Sequence, residues 1–200
     1  MSSIKKQLEL LVKQYMTGES RGCCSGSNDK LSDKLVLENI KKFYRNLKWN
    51  EALDAAGHAF FAKGKRDPHQ YRYRDDTLKK VRETLQNNEA DLKSTRNFDE
   101  LYDKVDSIFE NITYVGDLMV YDTTLRLWSN LSKKFKSSDR VYLHNGAWEG
   151  AKELFQKGFF KTKLQKKMMR AEFPESLQTL PSEHIEHFIC VMKSEISKLK

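Results

Sequence analysis

Residues 97–127 decide the fold, and they read NFDELYDKVDSIFENITYVGDLMVYDTTLRL. The first part has apolar side chains at the spacing of one face of an α-helix, namely Phe98, Leu101, Val105, Ile108 and Phe109. A short turn then carries Val115 and Gly116, and Asp117 is suited to begin and cap a second helix. Two helices joined by a short turn make this region a helical hairpin.

The same periodicity predicts helices along most of the chain. They cover approximately residues 3–15, 32–47, 51–62, 75–87, 97–110, 117–135, 146–155, 159–170 and 182–199. Residues 141–144 are apolar and β-branched enough for one short extended segment, and the small residues of 18–31 predict a flexible loop. We therefore expect an all-α fold, a bundle of seven to nine short helices that forms a single domain over residues 1–200.

Composition excludes several classes of protein. Of the 200 residues, 38% are hydrophobic and 32% are charged, which is too apolar for a disordered chain. No run approaches the ~20 apolar residues of a membrane helix, so we expect no membrane partner. Three Cys, of which Cys23 and Cys24 are adjacent, do not make a disulfide framework and favour a reducing cytoplasm.

Neither a metal nor a cofactor is expected. Adjacent Cys residues rarely bind one zinc ion, because zinc ligands are usually two to four residues apart. His184, His187 and Cys190 follow one another in steps of three, which spreads them around a helix and favours a structural role. The chain has no phosphate-binding loop and no dinucleotide-binding motif.

Positive charge is concentrated in one segment. Residues 131–170 carry eleven Lys and Arg against three Asp and Glu, an excess equal to the net charge of +8 of the whole chain. Such a zone suits a polyanion, since each neutralised phosphate releases counterions. A lysine-rich surface that faces only solvent is the alternative, and the charge pattern leaves both open. The candidate phosphate contacts here include Lys133, Lys134, Lys136 and Arg140.

Residues 108–127 resemble the helix-hairpin-helix motif, in which an apolar-Gly-apolar-Gly turn joins two helices. The resemblance covers about a tenth of the chain, and Tyr114 stands where the family has its first turn glycine. It implies that backbone N–H groups of the turn and of the following helix start hold a DNA phosphate. The implied contacts are Tyr114, Val115 and Gly116, and Gly116 is expected to adopt a backbone geometry that a larger residue would resist.

Helix-hairpin-helix DNA glycosylases share this hairpin and have all-helical folds of similar size. The resemblance to them implies a base-excision enzyme, for which Asp122 and Asp139 are the candidate catalytic carboxylates. The lyase members have a Schiff-base Lys where this chain has Leu118, and there is no Cys quartet for an iron–sulfur cluster. Lyase activity is therefore not expected, and whether the protein is an enzyme stays open.

Two further segments carry candidate anion contacts. In 139–152, a turn at His144, Asn145 and Gly146 precedes a helix that bears Lys152, and Arg126 would lie between this turn and the hairpin if the two meet. The run is similar to runs in bacterial proteins, a similarity that implies no activity. A histidine that only fixes the turn is the alternative. The loop 63–74 interleaves cations with aromatic rings, and its candidate contacts are Lys65, Arg66 and Arg72.

These features together predict a nucleic-acid-binding protein, with DNA as the expected partner. The contacts would come from the hairpin 112–117, the loop 63–74 and the basic segment 131–170. A glycosylase-like enzyme and a helical protein that binds an acidic protein partner are the alternatives. The sequence leaves the oligomeric state open.

Overall fold

A computed structural model describes residues 3–19, 33–67, 70–132 and 137–200. These ranges contain eleven α-helices: α1 Ser3–Thr17, α2 Asp33–Arg45, α3 Trp49–Gly57, α4 Asp75–Asn87, α5 Glu89–Lys93, α6 Phe98–Phe109, α7 Asp117–Leu131, α8 Asn145–Gln156, α9 Glu175–Gln178, α10 Ser182–Val191 and α11 Lys193–Ser197. The four strands are β1 Phe60–Ala62, β2 Lys65–Arg66, β3 Arg140–Tyr142 and β4 Lys167–Met169. The all-α class is confirmed.

The helices are more numerous than the expected seven to nine. The helices α5, α9 and α11 have only four or five residues each, which is too short to show a 3.6-residue period in sequence. Nowhere in the described residues does a helix combine the length and apolar character that a membrane crossing requires.

The chain forms two compact units, and the division falls within α2. Unit 1 consists of Met1–Leu37 and Ser137–Lys200, and unit 2 consists of Glu38–Lys136. The single domain over 1–200 stays a prediction, and each unit is described by itself.

Unit 2 is built around α7. Nearly all of its side chains from Met119 to Ser129 are buried, because α3 and α6 both pack against it. The preceding helix α6 begins where the Asn97 side chain accepts a 2.8 Å hydrogen bond from the N–H of Glu100, a standard N-cap. The strands β1 and β2 form a small antiparallel hairpin after α3.

Unit 1 brings together helices from both ends of the chain. The helix α8 packs against α10 and α11, and the antiparallel pair β3–β4 lies against α10. A Cβ atom at Gly150 would lie 2.5 Å from the carbonyl oxygen of Ile189, so α8 and α10 approach closely there. At the N-terminal end, the Tyr15 hydroxyl lies 2.9 Å from Nδ1 of His184 and 3.1 Å from Nδ1 of His187.

Two predicted helices were wrong in extent or type. The helix expected over 51–62 ends at Gly57, because Ala59 has a φ of 56° and residues 60–62 pair with β2. The cationic helix expected over 159–170 does not form. Gly158, with a φ of 75°, follows the end of α8, and residues 167–169 pair with β3 instead.

Other boundaries differ by less. The helix α7 ends at Leu131 rather than 135, since Ser132 is already extended, and the last predicted helix is divided at Met192 into α10 and α11. Of the predicted loop 18–31, all but its first two residues lie outside the described residues, as do Lys133, Lys134 and Lys136.

Candidate functional site

The basic surface of unit 1 lies on and beside the β3–β4 pair. It consists of six exposed cations: Arg140, Lys161, Lys163, Lys166, Lys167 and Arg170. Tyr142 lies opposite Lys167, whose Nζ is 5.4 Å from the centre of the Tyr142 ring. The strand pairing thus holds apolar side chains inward, at Val141 and Met168, and cations outward.

Four of these cations have no acidic partner nearby. Arg140, Lys161, Lys163 and Arg170 form no ion pair with any carboxylate of the described residues. The neighbouring carboxylate of Glu172 is occupied by the Thr162 hydroxyl and the N–H of Met169. The six cations outnumber the neighbouring carboxylates of Asp139 and Glu172, and such an excess of positive charge attracts a polyanion.

The predicted anion site at 144–146 is largely closed. His144 is 4% exposed, and its ring stacks on Tyr142 with centres 6.3 Å apart. A Cβ at Gly146 would lie 2.7 Å from Sγ of Cys190, so this glycine allows α8 to approach α10. Asn145 is exposed, with a φ of 36°. The turn therefore serves helix packing, while Lys152, exposed and 5.5 Å from the Trp148 ring centre, remains accessible.

The residue of the hairpin turn with an unusual backbone conformation is Tyr114, two positions before Gly116, where the sequence suggested it. The N–H of Val115 donates to the carbonyl of Ile112 over 3.2 Å, and Tyr114, the third residue of this turn, has a φ of 71°. A turn in which only the third residue has a positive φ is of type II, and glycine is the usual residue at that position. The expectation for Gly116 was wrong: its φ of −128° is open to any residue, and a Cβ there would meet nothing within 4 Å.

The electrostatic surroundings of the hairpin are acidic. The N–H groups of Gly116 and Leu118 have no acceptor among the described residues, which suits a phosphate. Lys104 is the one cation of residues 97–117, which carry six carboxylates: Asp99, Glu100, Asp103, Asp106, Glu110 and Asp117. These charges oppose the approach of a phosphate that the backbone donors would favour.

Arg126 lies inside unit 2, away from any surface contact. It is 2% exposed, its Nη2 lies 2.9 Å from Oδ2 of Asp67, and the same nitrogen is 3.8 Å from Oδ2 of Asp122. Gln70 Nε2 donates to the same Asp122 oxygen over 2.6 Å. Because its side chain is enclosed, we leave Arg126 out of the phosphate contacts proposed below.

This buried network perturbs the acidity of its members. Burial alone would lower the pKa of Arg126, but the charges of Asp122, Tyr44 and Asp67 raise it above its ordinary value. Burial also raises the pKa of the Tyr44 phenol, whose hydroxyl donates to the carbonyl of Phe60 over 2.6 Å. Sequence spacing shows the Asp122–Arg126 pair, one helical turn apart, but gives no sign of the contact with Asp67, 59 positions away.

The other predicted contacts of unit 2 lie in the loop 63–74. Lys65 is exposed in β2, whereas Arg66 is held by a 2.9 Å ion pair with Asp75. Arg72 is exposed and has its guanidinium carbon 5.3 Å from the centre of the Tyr73 ring.

The two candidate catalytic carboxylates lie in different units and have different environments. Asp122 has a side chain 19% exposed and bonds to Gln70, whereas Asp139 is exposed and contributes its backbone carbonyl to the N–H of Arg170. Within the described ranges, no group of three or more His, Cys, Asp or Glu side chains is placed to hold a metal ion.

Comparison of the chain with protein-family models, curated proteins and solved structures finds no match. Function has to be inferred from the residues themselves.

Proposed function

We propose that the protein binds nucleic acid, with DNA as the expected partner, through the basic surface of unit 1. The observation that supports this most directly is the set of exposed, unpaired cations beside the β3–β4 pair. Arg140 and Arg170 lie at one end of this pair, and Lys161 and Lys163 lie in the connection that precedes β4. Phosphate contacts of this kind provide affinity without reading sequence.

The hairpin 112–117 enters the proposal as one phosphate contact, weaker than the resemblance implied. Its free N–H groups favour one phosphate, whereas the carboxylates of Glu110 and Asp117, on either side of the turn, oppose it. Gly116→Ser tests this contact, because a serine hydroxyl at this N-cap competes for the N–H of Leu118. Lower DNA affinity in a stably folded Gly116→Ser protein would support a hairpin contact, and unchanged affinity would remove it.

The test of the basic surface is a comparison of two triple variants. One carries Lys161→Gln, Lys163→Gln and Arg170→Gln. The control carries Lys5→Gln, Lys6→Gln and Lys13→Gln, which removes the same charge from exposed positions of α1 in the same unit. Fluorescence anisotropy with labelled DNA, from about 50 to 200 mM salt, gives the affinity and its salt dependence.

The two triple variants are expected to differ in both quantities. The slope of log affinity against log salt is negative. Loss of up to three phosphate contacts should make it shallower by about 2 to 3 for the basic-surface variant. The control should keep the slope of the unmodified protein. Absence of binding by the unmodified protein at low salt, or equal losses in both variants, would contradict the proposal.

A further inference from the structure

Residues 70–73 form a tight turn of unit 2 with buried ends and an exposed middle. The N–H of Tyr73 donates to the carbonyl of Gln70 over 3.1 Å, and these two residues are 8% and 0% exposed. Between them, Tyr71 is 65% exposed. We refer to these four residues as the Tyr71 turn. It presents an aromatic ring to solvent from a backbone that is anchored on both sides.

The anchor on the N-terminal side is the buried network of α7. Gln70 bonds through its side chain to Asp122 and through its N–H to the carbonyl of Asp67, over 2.6 and 2.8 Å. Arg126 in turn holds Asp67. A buried ionic network is often no more stabilising than apolar packing of the same volume. Here it fixes the start of the Tyr71 turn, so that the exposed ring is held in place before any partner binds.

Exposed cations are close to Tyr71 along the chain. Arg72 lies in the same turn, and stacking on the Tyr73 ring holds its guanidinium group. Lys63 and Lys65, on the adjacent β1–β2 hairpin, are exposed and form no ion pair with a described carboxylate. An accessible ring with a guanidinium group beside it matches the two parts of a nucleotide, a base with flat faces and an anionic phosphate.

We propose that the Tyr71 turn is a binding site for single-stranded nucleic acid, in which Tyr71 stacks on an unpaired base and Arg72 contacts the adjoining phosphate. This inference rests on the proposed function, and it adds the class of nucleic acid. In a duplex both faces of each internal base are covered by neighbouring bases, so the ring has nothing to stack on. A single strand leaves those faces free.

Tyr114 provides an internal contrast. Its side chain is 75% exposed, more than that of Tyr71, and it lies in the same unit. The residues around it are acidic, with Glu110 and Asp117 within four positions along the chain. A phosphate next to a base stacked on Tyr114 would be repelled, so exposure of the ring alone is not sufficient.

The experiment measures binding of Tyr71→Ala, Tyr71→Phe and Tyr114→Ala to a labelled oligo(dT) strand and to a duplex of equal length. Stacking on one aromatic ring corresponds to about a 5- to 100-fold effect on affinity. Tyr71→Ala should therefore bind the single strand about 5- to 100-fold more weakly and the duplex within about twofold of the unmodified protein. Tyr71→Phe keeps the ring and should bind both as the unmodified protein does. Tyr114 lies in the hairpin, whose phosphate contact a single strand and a duplex would share, so Tyr114→Ala should show no selective loss of single-strand binding.

The outcomes separate this inference from the proposed function. If the basic-surface triple variant loses affinity while Tyr71→Ala binds the single strand normally, the protein is a nucleic-acid binder and the Tyr71 turn is not a site. Equal losses on single strand and duplex, or an equal selective loss in Tyr114→Ala, would also overturn the inference. If the unmodified protein binds neither nucleic acid at low salt, both proposals fail. Circular dichroism and thermal unfolding of each variant verify that its fold is intact.

Discussion

Arg126 donates a 2.9 Å hydrogen bond to Asp67, and this single contact joins the centre of α7 to the segment after β2 across 59 positions of the chain. Both residues are buried. Together with the Gln70–Asp122 bond, the contact makes the positions of Asp67 and of residues 70–73 dependent on α7. The hairpin turn immediately precedes α7. The Gln70–Asp122 bond lies about 8 Å along the helix axis from the start of α7 at Asp117.

Arg126→Met should destabilise unit 2 by about 3–5 kcal/mol, because it leaves the buried Asp67 and the partly buried Asp122 carboxylates without their cation. Urea or thermal unfolding measures the loss. Arg74→Met, at a side chain 78% exposed, is the matched control and should change stability by less than about 0.5 kcal/mol. A double variant that adds Asp67→Leu should regain part of the loss. Equal stabilities of Arg126→Met and the control would show that the network contributes nothing.

Tyr114→Gly should raise the free energy of unfolding by up to about 1 kcal/mol. A left-handed backbone costs a non-glycine residue about 1–2 kcal/mol, and the greater freedom of glycine in the unfolded chain offsets part of the gain. Because the tyrosine ring is mostly exposed, its removal sacrifices few contacts. Tyr114→Ala, which keeps the strain, should show no such increase in a denaturant titration. A Tyr114→Gly protein less stable than Tyr114→Ala would contradict the turn geometry described.

Gly150→Ala should destabilise unit 1 by about 1 kcal/mol or more. The new methyl group would lie 2.5 Å from the backbone oxygen of Ile189, so α8 and α10 must separate, and this overpacking outweighs the roughly 1 kcal/mol that alanine gains in a helix. Gln156→Ala, at an exposed position of the same helix, should leave the thermal midpoint nearly unchanged. A rise in midpoint for Gly150→Ala would mean that the two helices are farther apart.

The ion pair between Glu149 and Lys193 joins α8 to α11 and predicts a pH dependence. The 2.6 Å hydrogen bond from Lys193, with its charge, lowers the pKa of Glu149 below 4.5. A lowered pKa in the folded state adds stability above the unfolded value, and this contribution is lost as pH falls through the folded value. Side-chain carboxyl NMR should show the low pKa, and Lys193→Met should return it towards 4.5. A Glu149 pKa that is the same in both proteins would exclude this contribution.

The sequence predicted those elements whose periodicity is long and regular. The boundaries of α4, Asp75–Asn87, were predicted without error, since its apolar residues and first-turn acids all indicate one helix. The 159–170 segment failed because Phe160, Leu164 and Met168 are four apart, a spacing that fits one face of a helix and also one face of a strand. Only the pairing of Met168 with Val141, distant in sequence, distinguishes the two.

The candidate sites were harder to predict, because the local sequence does not show which side chains are exposed to solvent. Arg126 and Arg140 are each followed by an apolar residue, yet Arg126 is buried in α7, against which α3 and α6 pack, and Arg140 is exposed on β3. The same holds for Tyr71 and Tyr73, two positions apart, of which only the first is exposed. Tertiary packing determines these differences.

The hydrogen bond between Tyr15 and His184 links residues 169 positions apart within unit 1, whose two segments of chain are separated in sequence by unit 2. During synthesis, the whole of unit 2 is made before the helices that cover α1. Until then Leu8, Val12 and Tyr15 have none of their final neighbours from 137–200, and the apolar face of α1 stays open to water or to a chaperone. The first helix to be synthesised, α1, is therefore one of the last to pack against its neighbours.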